Sequence, residues 1–372
     1  MAHDKRVLDL CRSMNTAGIE VIVCSAGWKQ LGWTGQYDTG VQLIEHGVNF
    51  CFAAMWDFPI INLLVTLGSL SAMVLKTCAL HRKQKTVKIL YYNSTVFSAF
   101  PALLARVLLG VPIYIEFNDG NAWTNIVGRG RRIVNLVLHK IAERLLSGAI
   151  LISTTMSNRV TTKNICVIPA CFDWELKSLR KTGNGNGSVL HCLYGGSLDK
   201  VRGADLLCDT LELIEDRYPE LARALTVDVV GKGPLENHVV DRLSRLRAVR
   251  AKYHGFVSRR LYREILAQAD VGLCLQRIDH SFSNLCFPSK VLEYVNAGKV
   301  VISSAISDVK SVAGGNVLTY ERDDPDQIAS LLFKVWKNHP VFVLKALEAQ
   351  STFEKTYSDE AVGERLATLF SS

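Results

Sequence analysis

The chain has 372 residues, of which 48% are hydrophobic and 21% charged. That length suits two ordinary domains, and that composition excludes disordered and fibrous classes. The net charge of +8 sits in one half: residues 1–170 hold 17 Lys and Arg against 9 Asp and Glu, while residues 171–372 hold 26 of each. A basic half can meet nucleic acid, an anionic membrane or a phosphorylated ligand. No zinc-finger spacing, RNP aromatics or long Lys/Arg run accompanies it, so nucleic acid is not expected as a partner. The ten cysteines include no C-x-x-C pair and predict reduced thiols in a cytosolic compartment. The start, MAHDKRVLDL, carries charges where a secretory leader needs an apolar core, so secretion is not expected.

Helix and strand alternate from end to end, which predicts an α/β protein with parallel sheets. Val7, Leu8, Leu10, Cys11 and Met14 mark a helix over 5–17, closed by Gly18, and IEVIVCS (19–25) reads as a strand. The stretch 58–75 carries no charge and is followed by His81, Arg82, Lys83 and Lys85. It is short for a membrane span and contains Asn62, Thr66 and Ser69 on one helical face, so it reads as a buried or membrane-touching helix. Strand 87–92, helix 99–109 ending at Gly110, and strand 113–117 follow. Next come a basic helix over 130–146 and strands at 149–154 and 165–169. Residues 181–188, KTGNGNGS, have linker chemistry. Beyond them strands are predicted at 189–194, 225–230, 270–275 and 299–304. Helices are predicted near 204–216, 234–247, 258–268, 288–297, 326–337 and 343–370.

Two motifs carry chemistry. The first is Gly195-Gly196-Ser197 through Arg202-Gly203, placed between a strand and a helix. Such a turn presents backbone N–H groups to an anion, and Arg202 can add a charge-assisted bond to phosphate. The second is Phe287-Pro288-Ser289-Lys290-Val291-Leu292-Glu293-Tyr294. Pro288 suits the first helical position, so a helix N-terminus would lie at Ser289 and Lys290. Glu293, one turn on, can accept hydrogen bonds from two sugar hydroxyls. The plain alternatives are a tight turn with solvated basic residues and a surface helix with a Lys–Glu pair. Asp324-Pro325-Asp326 reads as a helix cap, not as a metal site, and Gly231-Lys232-Gly233 lacks P-loop spacing.

The order YGGSLDKVRGADLL, VVGKGPLE (229–236), YHGFVSRRLYREILAQADVGLCL (253–275) and FPSKVLEYVNAGKVVISS (287–304) resembles the donor domain of glycosyltransferase family 4, the group 1 glycosyltransferases. The likeness covers about residues 188–350, and in the first half RVLDLCRSMNTAGIEVIVCS, IYIEFNDGNAW (113–123) and ICVIPACFD (165–173) are consistent with it. The resemblance implies a GT-B fold: two Rossmann-like, doubly wound parallel-sheet domains facing a cleft. Residues 1–172 would form the acceptor- and membrane-facing domain, 173–188 the linker and 189–350 the nucleotide-sugar domain. Residues 351–372 would form a helix packing back on the first domain.

By the same resemblance Gly195, Gly196 and Ser197 approach the donor diphosphate, while Arg202 and Lys290 clamp it. Ser289 lies at the helix start, Glu293 holds the ribose, and Gly255, Phe256 and Val257 line the base pocket. Asp119, expected to be catalytic, sits where the family has a histidine or an acid facing the acceptor, to orient its hydroxyl or stabilise positive charge on the sugar, with Glu116 and Trp123 on the acceptor side. The plain alternative for Asp119 is a cap before Gly120. Ser197 stands where the family often has arginine, and Leu285 where it has the first of two acids.

The implied activity is a retaining, metal-independent transfer without a cofactor. A UDP- or GDP-type sugar donor would serve a lipid-linked or glycan acceptor at the inner face of a membrane. A nucleotide-sugar epimerase and a non-catalytic paralogue binding a nucleotide sugar or a partner enzyme stay open as alternatives. The first strand, 19–25, matches the family's second, so about 15–25 further residues upstream, one strand and its loop, are expected.

Overall fold

The computed structural model describes residues 2–26, 42–45, 48–53, 59–83, 85–93, 95–118, 129–178, 189–280, 283 and 286–372. The first half runs α1 (Ala2–Thr16), β1 (Ile22–Ala26), β2 (Gln42–Glu45), β3 (Val48–Ala53), α2 (Pro59–His81) and β4 (Ile89–Tyr92). It continues with α3 (Val96–Leu109), β5 (Ile113–Phe117), α4 (Arg129–Leu145), β6 (Leu146–Leu151) and β7 (Ile165–Val167). The second half runs α5 (Trp174–Lys177), β8 (Leu190–Gly195), α6 (Ala204–Arg217), α7 (Pro219–Ala224), β9 (Leu225–Val230), α8 (Glu236–Ser244) and β10 (Arg250–Gly255). Then come α9 (Arg259–Gln268), β11 (Val271–Cys274), α10 (Ser289–Asn296), β12 (Val300–Ser304), α11 (Val309–Val312), β13 (Leu318–Tyr320), α12 (Pro325–Lys337), α13 (His339–Tyr357) and α14 (Asp359–Ser371). They form two compact units, Met1–Cys171 with Tyr357–Ser372, and Phe172–Thr356.

In the first unit β4, β5, β6 and β7 form a parallel sheet in that order, while β1, β3 and β2 form a second sheet in which β2 runs antiparallel to β3. All five residues of β5 are buried, so the strand needs cover on both faces. On one face Leu10, Cys11 and Met14 of α1 and Val362, Leu366 and Phe370 of α14 share a core with Tyr114, Ile150 and Cys166. Elsewhere in the unit α3 packs on β4 and β5 and has α2 and α4 as neighbours. A reciprocal Thr95–Ser98 capping box opens α3, and Gly110, in the left-handed conformation, closes it. The 18 residues Leu64–His81 of α2 are apolar and long enough to cross a membrane, and 22% of them are buried.

The second unit is one parallel sheet of six strands in the order β10-β9-β8-β11-β12-β13. Numbered within the unit, that order is 3-2-1-4-5-6, the doubly wound arrangement whose direction reverses between β8 and β11. Its core joins the sheet to α6 and α12 through residues such as Leu207, Leu211, Val227, Leu273, Ile328 and Leu332.

Two departures from the sequence reading have simple causes. The helix expected over 343–370 is two helices, because Ser358 stops one and caps the next by accepting from the Ala361 N–H. Strand β10 went unread because Arg250, Lys252 and His254 alternate with its less polar residues, as suits the edge of a sheet.

Candidate functional site

Strands β8 and β11 are neighbours at the reversal of strand order, and open α/β sheets bind ligands at the carboxyl ends of such strands. Here the loops after β8, β9 and β10 meet backbone to backbone. The Gly196 N–H donates to the Val230 carbonyl at 2.9 Å, Gly231 N–H to the Gly255 carbonyl at 2.9 Å, and Leu198 N–H to the Lys232 carbonyl at 3.0 Å. Only glycine permits this. A Cβ on Gly231, whose φ is +143°, would lie 1.7 Å from the Gly196 carbonyl oxygen. Gly203, with φ +73°, opens α6 so close to β11's exit that its Cβ would lie 1.9 Å from the Leu275 carbonyl oxygen. Gly231 thus serves loop packing, which its local spacing did not reveal.

Behind the Gly195-Gly196 turn stand two tyrosines. The Tyr294 ring of α10 lies over Gly272 of β11, where a Cβ would come within 2.2 Å of it. Its hydroxyl accepts from the Gly195 N–H at 3.0 Å. Tyr262 of α9 accepts a hydrogen bond from Lys290 Nζ at 3.2 Å, and the same ammonium sits 4.3 Å from the ring centroid. Burial, reinforced by nearby acidic groups, pushes both phenols well above their ordinary range, so both stay neutral. Lys290 also donates to Glu293 Oε2 at 2.7 Å, and the two side chains remain partly exposed. Neither tyrosine was singled out in the sequence.

Lys290 stands in the first turn of α10, where helix N–H groups have no intrahelical acceptor. Pro288 is the cap residue, one position earlier than its sequence suggests, and Ser289 is exposed at the first helical position. The far end of α10 is pinned: Asn296 Oδ1 accepts from Asp173 N–H at 2.8 Å, and its carbonyl accepts from Gln350 Nε2 at 2.6 Å. Arg202, half-buried before α6, donates to Gln276 Oε1 at 3.4 Å. Gln276 is itself buried and donates to Ser283 at 3.2 Å. Burial pushes the neighbouring Cys274 thiol up to about 11, against the opposing pull of Arg202 and Lys290. The buried Cys274 thiol therefore stays protonated.

The remaining expected residues separate into groups. Gly255 closes β10 in the left-handed conformation, Val257 is half-buried, and Phe256 is 71% exposed, an aromatic face without a covering layer. Ser197 is exposed beside the turn. Asp119 and Trp123 lie outside the described residues. Glu116 is only 1% exposed: it is ion-paired with Arg6 of α1, whose other guanidinium nitrogens donate to the Pro169 and Ile168 carbonyls at 3.0 and 2.8 Å. This corrects its expected place beside an acceptor, because burial leaves Glu116 a tie between α1 and the sheet. Asp324 caps α12 by accepting from the Asp326 N–H at 3.0 Å, and Asp326 pairs with Arg217. Among the described residues no three His, Cys, Asp or Glu side chains are grouped to hold a metal.

The family model described as "Glycosyl transferases group 1" matches residues 190–338. No curated protein sequence matches the chain. Among solved structures, HepE of Anabaena in complex with UDP and glucose shares 17% identity with a TM-score of 0.65, covering 98% of this chain and 95% of that one. The sucrose-phosphate synthase of Thermosynechococcus elongatus shares 14% with a TM-score of 0.69, covering 98% and 92%. A glycosyltransferase from Rickettsia africae shares 12% with a TM-score of 0.65, covering 98% and 93%. Residues 190–338 therefore match the model of a group 1 glycosyltransferase domain, in a chain of GT-B fold.

Proposed function

We propose that the chain transfers a sugar, with retention and without a metal, from a UDP- or GDP-type donor to a lipid-linked or glycan acceptor at the cytoplasmic face of a membrane. The observation that carries the donor half is the convergence of the Gly195-Gly196 turn, Arg202 and the Lys290 helix start at the strand-order reversal. HepE was solved with UDP and with UDP-glucose, which supports a uridine donor here.

Departure of a nucleoside diphosphate builds negative charge on the leaving oxygen. Two cations and a helix N-terminus offset that charge without a bound ion. Lys290 would turn from Glu293 toward the phosphates and leave the carboxylate for the ribose hydroxyls, while Phe256 would stack on the base. Gly196 and Ser197 would bring the backbone to the diphosphate, with Ser289 at the helix start. Asp119 would face the acceptor hydroxyl. Retention is what the family resemblance implies, and the basic first half is what suggests a membrane-borne acceptor.

The test is transfer from radiolabelled UDP-sugars and GDP-sugars to a membrane extract, with and without EDTA. Activity should survive chelation, and the product's anomeric configuration should match the donor's. Lys290→Ala and Arg202→Ala should each lower turnover by about 10²-fold. Loss of activity on chelation, restored by Mn²⁺, contradicts the metal-free mechanism. Undiminished turnover in both variants contradicts the donor site.

A further inference from the structure

Helix α4 is folded with its polarity reversed. Asn135 and Ala142 are buried, while Ile133 is 61% exposed and Val134, Leu136, Val137 and Ile141 are exposed with it. At 100° per residue, Ile133, Val137, Ile141 and Val134 share an outward arc with Lys140 and Arg144. A surface helix in water turns its apolar stripe inward, so this one is matched to something other than water. The neighbouring helices continue the pattern. On α3, Val107 is 71% exposed and Leu108 is also bare, and on α2 so are Leu64 and Leu80. Exposed cations follow α2 and stand on α4: Arg82, Lys83 and Lys85, the last paired with Glu20, and Lys140 and Arg144. Between residues 59 and 163 the chain has 13 Lys and Arg against three Asp and Glu.

We infer that α4, with the adjoining apolar side chains of α3 and α2, seats on an anionic lipid surface as an in-plane amphipathic layer. The aliphatic residues enter the acyl boundary while Lys140 and Arg144 extend their stems to the lipid phosphates. Charge selects this occupant. A protein interface core is depleted of lysine, whereas an anionic leaflet attracts basic residues that flank apolar ones. The inference deepens the membrane-facing part of the function proposed above, and its test needs no catalysis, so either can fail alone.

The experiment is flotation of the full chain with phosphatidylcholine vesicles, with or without about 30% phosphatidylglycerol, at low salt and at a salt concentration that screens surface charge. Binding should require the anionic lipid, and a fraction should persist in high salt through the apolar contacts. The triple variant Ile133→Ser, Val137→Ser, Ile141→Ser should lower partitioning by about tenfold or more and abolish the salt-resistant fraction. The double variant Lys140→Glu, Arg144→Glu leaves the apolar stripe intact and should lose the preference for anionic lipid. Both substitute exposed positions, and melting curves test whether they fold. If the triple variant does not fold, the double variant decides. Equal binding by folded variants, or no flotation of the wild type, overturns the inference. So does a wild-type dimer in light scattering that the triple variant dissociates, because the face would then cover a second copy of the chain.

Discussion

At the scale of single residues, Tyr294 holds the Gly195 N–H from behind the turn, and the two residues are 99 positions apart in sequence. Removing the hydroxyl while keeping the ring over Gly272 removes that bond together with the hydroxyl's contact to Tyr262. Tyr294→Phe should cost about 1–3 kcal/mol, the penalty for leaving a buried donor unsatisfied. It would be read as a lower denaturant midpoint at unchanged slope. An unchanged midpoint means the N–H finds another acceptor. This tyrosine pair shows where sequence reading stops. Arg202, Lys290 and Glu293 were legible because a glycine turn and a helix start are local features. Tyr262 meets Lys290 across 28 positions, and no local pattern encodes that meeting. Glu116 was misplaced for the same reason, since its partner Arg6 lies 110 positions away.

At the scale of elements, buried strands and helices opened by glycine were the most legible part. The strand over 113–117 and the helix starting at Ala204 came directly from apolar runs bounded by glycine. Polar edge strands such as β10 and the three-residue β13 were not, because their stability comes from pairing with neighbours. Helix α4 yields a pH prediction. Burial lowers the His139 imidazole to about 4, even with Glu143 at 3.9 Å. The unfolded chain takes up a proton near pH 6.5 and the folded chain does so only near pH 4. The stabilising contribution is therefore complete above about pH 6.5 and is lost as pH falls toward 4. Denaturant midpoints of the wild type and His139→Gln, followed from neutral pH to about pH 4.5, should converge or cross by about 2 kcal/mol in favour of the variant. Parallel pH profiles would mean that His139 titrates alike in the folded and unfolded chain.

At the scale of the whole molecule, the two units have separate cores. The second has the complete six-strand doubly wound order and the match to the group 1 glycosyltransferase model. Its architecture was legible because strands and helices alternate and because the motifs fall at strand exits. The first unit was legible as α/β, but its antiparallel β2–β3 pair was not, since Gln42–Glu45 has no run of apolar residues long enough to mark a strand.

Equilibrium binding of UDP, followed by titration calorimetry, tests the donor site without requiring an acceptor. The wild type should bind with one-to-one stoichiometry, and Lys290→Ala should weaken binding by about tenfold or more through loss of a charge-assisted phosphate contact. A wild type that binds no UDP but binds GDP would move the base preference and keep the site. A wild type that binds neither, or a folded Lys290→Ala protein that binds as tightly as the wild type, would contradict the account.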